Sequence, residues 1–123
     1  MMTKILIVDD EENILEEASE ALTEQGYECF IASSVEAAIE IIKKTPEIML
    51  ILTDLMMPKM TGADLINRVE AMFGKDIKFL LMSGHSSFTS KESGVELDSY
   101  HYIRKPLNIE DMLEKIAFVL GNN

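Results

Sequence analysis

Five polar residues stand just past the ends of apolar runs, and their types suit one chemistry. Asp9 and Asp10 follow KILIV, residues 4 to 8. Asp54 follows IMLILT, residues 48 to 53, Ser83 follows FLLM, residues 79 to 82, and Lys105 comes shortly after YHYI, residues 100 to 103. If those runs are neighbouring parallel strands, three carboxylates, a hydroxyl and an ammonium share one small volume at the carboxyl end of the sheet, where open α/β sheets bind ligands. Three acids at close quarters cannot all stay ionised without compensation, since each like charge raises the cost of the next. A divalent cation is the simplest remedy, and Mg2+ prefers oxygen ligands while keeping several waters. Two carboxylates, a backbone carbonyl and a phosphate oxygen would suit it. Calcium-loop spacing and zinc-type Cys/His clusters are both missing. A single Asp after a strand is ordinarily a helix N-cap or a turn residue, so the weight lies in the set.

The elements that must position this set are legible as two alternating periods. The runs at 4–8, 48–53 and 79–82 are short, apolar and without alternation, as expected of strands covered on both faces. YECFIA (27–32) and YHYI (100–103) alternate more and are expected nearer an edge. Between them lie helical stripes: Leu15, Ala18 and Leu22; Val35, Ala38, Ile39 and Ile42; Leu65, Ile66, Val69, Met72 and Phe73; Ile109, Met112, Leu113, Ile116 and Leu120. Ser33 with Glu36 and Asn108 with Asp111 have capping spacing, and Gly26, Gly74 and Gly121 stand where helices should close. Strand and helix alternating through one chain predict a parallel sheet with helices on both faces and right-handed crossovers. The exception is SSFTSKESGVELDS, residues 86 to 99, which must supply a crossover yet holds five serines, one glycine and only Phe88, Val95 and Leu97 as apolar residues. A short or mobile helix is expected there.

Bulk properties narrow the function. The 123 residues, 47% hydrophobic and 27% charged, suit one domain over 1–123 with one core. A formal charge of −11 repels a phosphate backbone, which argues against nucleic acid as a direct partner. No run approaches the roughly 18 apolar residues that span a bilayer, and the start MMTKILIVDD meets acid too early for a signal peptide. A soluble, cytoplasmic protein without membrane insertion is therefore expected. The single Cys29 lies between Tyr27 and Phe30 in an apolar stretch, where a buried structural thiol is the ordinary expectation.

Taken together, VDDE (8–11), DLMMPKMTG (54–62), MSGH (82–85) and YIRKPL (102–107), in that order, resemble the receiver domain of two-component response regulators over nearly the whole chain. The resemblance implies a flavodoxin-like doubly wound sheet of five parallel strands, order 2-1-3-4-5, with five helices. It implies that Asp54 is the phosphoacceptor, taking its phosphoryl group from a sensor histidine kinase or a histidine phosphotransfer protein. Asp9, Asp10, Asp54 and the backbone carbonyl of Met56 would hold Mg2+, with Asp9 acting through water. Lys105 would neutralise the phosphoryl oxygens, Ser83 and Tyr102 would form the switch, and Met56 and His85 would set the lifetime of the signal. A cis bond between Lys105 and Pro106 is also implied. His101 is expected to face solvent.

Two departures and two rival functions bear on this reading. Family members usually carry a Gly-Ala pair before the fifth strand, whereas here Gly94 is followed by VELDSYHY, so the preceding crossover and its partner surface are not transferable. A Mg2+-dependent Asp-nucleophile phosphatase on a related sheet normally needs a second Asp two residues after the first, and that position is Met56. A receiver-like binding module that takes no phosphate is opposed by the intact set Asp9, Asp10, Asp54, Ser83 and Lys105. In both the receiver and binding readings the chain is a signalling domain, not an enzyme acting on a separate substrate.

Overall fold

A computed structural model describes residues 2–57, 61–84 and 101–121. In chain order it contains β1 (Lys4–Val8), α1 (Glu12–Glu24), β2 (Glu28–Ala32), α2 (Val35–Lys44), β3 (Leu50–Asp54), α3 (Gly62–Phe73), β4 (Lys78–Ser83), β5 (His101–Arg104) and α4 (Ile109–Leu120). The strands form one parallel sheet in the order β2-β1-β3-β4-β5. This is the expected flavodoxin-like order, with the two alternating segments at the edges. The helix expected at residues 86–99 lies outside the described residues, as does the sequence signal at Gly94.

Period-two alternation along the strands divides the core between the two faces. Leu6, Val8, Ile51, Phe79 and Leu81 pack with Val35, Ile39 and Ile42 of α2 and Leu65, Ile66 and Val69 of α3. Ile5, Ile7, Leu50, Leu52, Leu80, Met82 and Ile103 pack with Leu15, Ala18 and Leu22 of α1 and Met112 and Ile116 of α4. All five residues of β3 are buried, which is why its sequence carries no alternation of polarity. Cys29, expected to be buried, is only partly buried on the α1/α4 side, and that burial raises its pKa.

Local signals at the helix ends were only partly assigned from sequence. The N-cap of α2 is Ser34, not Ser33: Ser34 is the extended residue, and its hydroxyl accepts from the Ala37 amide at 3.1 Å. Asn108 caps α4 as expected, accepting from the Asp111 amide at 2.9 Å. The best-formed start belongs to α3, where Thr61 and Asp64 make a reciprocal capping box that the sequence reading passed over. Gly74 and Gly121 close α3 and α4 with positive φ, whereas α1 ends on Gln25 and Gly26 takes the positive φ one residue later. β3 begins at Leu50, not Ile48, because the Ile48 amide bonds back to the Thr45 carbonyl in a turn.

One glycine ties the fold to the polar edge. The Gly62 amide donates to the Leu55 carbonyl at 2.8 Å, bringing the first turn of α3 against the end of β3. A Cβ at Gly62 would lie 2.6 Å from the Asp54 carbonyl oxygen and 3.0 Å from the Leu55 Cα, both backbone atoms that cannot swing aside. Gly62→Ala is therefore expected to lower unfolding stability by about 1–3 kcal/mol through overpacking, read by urea denaturation. Wild-type stability in that variant would show that α3 and β3 separate freely.

Candidate functional site

β1, β3, β4 and β5 run in one direction, so the residues at their carboxyl ends collect along one edge. The register places Val8 beside Thr53, Asp54 beside Met82, and Ser83 beside Arg104. Backbone bonds beyond the strands hold the loops there: the Asp9 amide donates to Ala32, Leu55 to Met82 and Lys105 to Ser83. The sheet order reverses between β1 and β3, where such sheets open a crevice.

The carboxylates are held individually. Asp9 is fully buried and Asp54 is 5% exposed, while Asp10 faces solvent. Asp9 Oδ1 accepts from the Glu11 amide at 2.9 Å, and Asp54 Oδ1 accepts from the Met56 amide at 3.1 Å. Each bond spans two residues in an Asx-type turn that turns the chain out of the strand while fixing the side chain. Lys105 Nζ donates to Asp54 Oδ2 at 2.8 Å and lies 2.9 Å from Asp9 Oδ2 and 3.9 Å from Glu11 Oε1. The Lys105–Pro106 peptide is cis, as the resemblance implied.

One ammonium thus faces three carboxylates. Burial raises the pKa of Asp9, and the charge of Asp54 adds to that; the Glu11 amide and Lys105 offset part of it. Burial works against the charge of Lys105, but Asp54 and Asp9 outweigh it and hold the ammonium above its ordinary pKa. Among the described residues Asp9 Oδ2 accepts no hydrogen bond, and its close contact is the ion pair with Lys105 at 2.9 Å. Asp9, Asp10 and Asp54 each present an oxygen within 4.8 Å of the others. An all-oxygen donor set with a buried, under-satisfied carboxylate oxygen fits a hard divalent cation such as Mg2+.

The structure therefore brings together Asp9, Asp10, Asp54, Ser83 and Lys105. Ser83 is buried at the end of β4. Met56 lies beside Asp54 with its side chain 46% exposed, and Tyr102 on β5 is 51% exposed. Met57 is partly buried against the α2/α3 core. His85 lies outside the described residues, and His101 is exposed at the opposite end of β5. Sequence reading quoted Glu11 within VDDE but gave it no role. Its carboxylate stands beside Lys105 and its amide anchors Asp9, an amide contribution that no residue type announces.

Residues 5–117 match the response regulator receiver domain. The chain is 29% identical over 119 residues to the heme response regulator HssR of Staphylococcus saprophyticus, covering 97% of this chain and 52% of that protein. It is 33% identical over 118 residues to the phosphate regulon transcriptional regulatory protein PhoB of Pseudomonas aeruginosa, covering 94% and 51%. It spans about half the length of the curated relatives it matches. Among solved structures, the chemotaxis protein CheY4 of Vibrio cholerae superposes with a TM-score of 0.85 at 28% identity, covering 97% of this chain and 99% of that one. The response regulator TrrA of Thermotoga maritima, solved in complex with Mg2+ and BeF, superposes at 0.81 with 30% identity, covering 96% and 99%. Four separated motifs, one sheet order and a match over most of the chain agree: this protein belongs to the response regulator receiver domain family.

Proposed function

We propose that the chain is a phosphoacceptor switch: Asp54 receives a phosphoryl group from a sensor histidine kinase or histidine phosphotransfer protein, and the change is read by a downstream output. The observation that carries this reading is Lys105 Nζ at 2.8 Å from one oxygen of Asp54, with the Met56 amide on the other. A carboxylate is a poor nucleophile toward an anionic phosphoryl group unless the oxygens in transit are neutralised. Here the nucleophile is already fixed by two donors and paired with a cation that can follow the transferred oxygens.

Asp9, Asp10, Asp54 and the Met56 carbonyl would hold Mg2+, which supplies charge neutralisation at the phosphoryl oxygens when bound. An oxygen of Asp54 attacks phosphorus, the bond from phosphorus to the donor nitrogen breaks, and that nitrogen keeps the electron pair. Lys105 exchanges its bond to Asp54 for one to a phosphoryl oxygen. The Ser83 hydroxyl, at the end of the adjacent strand, donates to another and draws the loop after β4 inward. Tyr102, outward and exposed in the present state, then turns toward the space released. Phosphorylation thereby shifts a population between two conformations. Met56, two residues after Asp54, and His85, two residues after Ser83, are assigned to setting its lifetime by controlling how water approaches.

Incubation with Mg2+ and acetyl phosphate, followed by intact mass, should show a gain of one phosphoryl group. Asp54→Asn should abolish the gain, and Lys105→Ala should slow it on the order of 100-fold, as for loss of one preorganised charge donor. A phosphoryl group that still appears on the Asn variant would sink the assignment.

Asp9 yields a separate expectation in metal-free protein. A carboxyl whose pKa is raised on folding costs stability as pH rises from its unfolded value through the raised folded value. The stability difference between wild type and Asp9→Asn, measured by denaturation across that window, should move against wild type as pH increases. A difference independent of pH would show that Asp9 is not destabilised by its burial.

A further inference from the structure

At the opposite end of the sheet from Asp54, a cavity of about 290 Å3 lies between the starts of β4 and β5, the loop after α3 and the last turn of α4. Ile77, Phe79, Phe118 and Val119 supply its apolar surface, and Lys75, Lys78 and His101 its basic groups. Of the described lining residues, Glu70 alone is acidic. The His101 ring meets Phe118 edge-on, with centroids 5.1 Å apart and an interplanar angle of 84°. Phe118 is nevertheless 55% exposed, so this aromatic wall is open to solvent.

The charges there run against the rest of the chain. The chain has twice as many acids as bases, and Lys4, Lys43, Arg68, Lys105 and Lys115 each pair with a carboxylate, whereas Lys44 and Arg104 have no ion-pair partner among the described residues. Lys75 and Lys78 have no ion-pair partner among the described residues, yet both border the same cavity. Two ammoniums and an imidazole N–H favour a negative group, because charge-assisted hydrogen bonds are the stronger kind. The exposed ring pair favours a flat aromatic body, which can stack or meet it edge-on. The volume lies at the lower end of the roughly 300–1,000 Å3 of small-molecule sites, which limits the ligand to about one ring.

We propose that this cavity binds a small aryl carboxylate: one aromatic ring bearing one acidic group, with the carboxylate on Lys75 and Lys78 and the ring against His101 and Phe118. The site also has a route to the acidic edge. β4 starts at Lys78 and ends at Ser83, and His101 directly precedes Tyr102 on β5. Occupancy fixes the starts of the two strands whose far ends lead to Ser83 and Lys105, and so biases the switch. That regulatory reach rests on the phosphorylation reading, whereas binding does not.

The test is an amide NMR titration of the metal-free chain with benzoate, with neutral benzamide as control. Saturating shifts are expected at Lys78, Phe79, His101, Phe118 and Val119, with half-saturation near or below about 1 mM, within reach of so small a ligand. Benzamide and the Lys75→Gln/Lys78→Gln double variant should each bind at least about fivefold more weakly, the scale of one charge-assisted contact. Asp54→Asn should bind as wild type does. The site is overturned by shifts that do not saturate, by equal binding of benzamide, or by shifts confined to the acidic edge. Saturating benzoate should change the initial rate of phosphorylation by acetyl phosphate at least about twofold. Tight binding with an unchanged rate would overturn the regulatory reach alone. Binding by a chain that accepts no phosphoryl group would overturn the phosphorylation reading and leave this site standing.

Discussion

The polar edge depends on a shortage of positive charge. Among the described residues, Asp9, Asp54 and Glu11 face a single ammonium, and two of those acids are almost wholly removed from water. Their arrangement is unfavourable on its own, because desolvation raises the cost of each ionised carboxylate and proximity raises it again. Lys105 meets part of that cost, and the backbone amides of Glu11 and Met56 meet another part. What remains is concentrated on Asp9 Oδ2, which has the Lys105 charge nearby but accepts no hydrogen bond from the described residues. The oxygens of Asp9, Asp10 and Asp54, within 4.8 Å of one another, fit a hard cation that would supply the charge this edge lacks.

The rest of the fold makes that arrangement possible. β3 is buried throughout and gains its stability from apolar contacts on both faces, so it can carry one acid at its end without depending on that acid for packing. Parallel pairing on either side fixes where Asp54 emerges, since a register slip of one residue would exchange the two faces of the strand. α3 then closes against the Asp54 carbonyl through Gly62, and the capping box at Thr61 and Asp64 fixes where that helix begins.

Much of this was legible in the sequence because the signals are periodic or chemically unusual. The strands of the core appear as unbroken apolar runs, the helices as stripes, and the polar residues as interruptions at one end of each run. The sheet order and the grouping of Asp9, Asp10, Asp54, Ser83 and Lys105 follow from those features together with the resemblance. Less legible were contacts made by the backbone. Ser33 and Ser34 are both plausible caps by spacing, and only the extended conformation of Ser34 selects between them. The contribution of Glu11 to Asp9 comes through an amide that any non-proline residue would offer. Gly62 could be read as a turn residue, whereas its need for a missing side chain comes from the proximity of β3, a tertiary fact.

The double contact of Lys105 bears on how such a chain can drift over generations. An ammonium that touches both Asp54 and Asp9 keeps one partner if the other is mutated. Loss of the Asp54 carboxylate would therefore leave the Lys105 ammonium paired with Asp9, and the core beneath the edge would be untouched. A lineage could lose the Asp54 carboxylate while every copy still folds and escapes quality control. Folding alone therefore places little constraint on Asp54, because Lys105 keeps Asp9 as a partner.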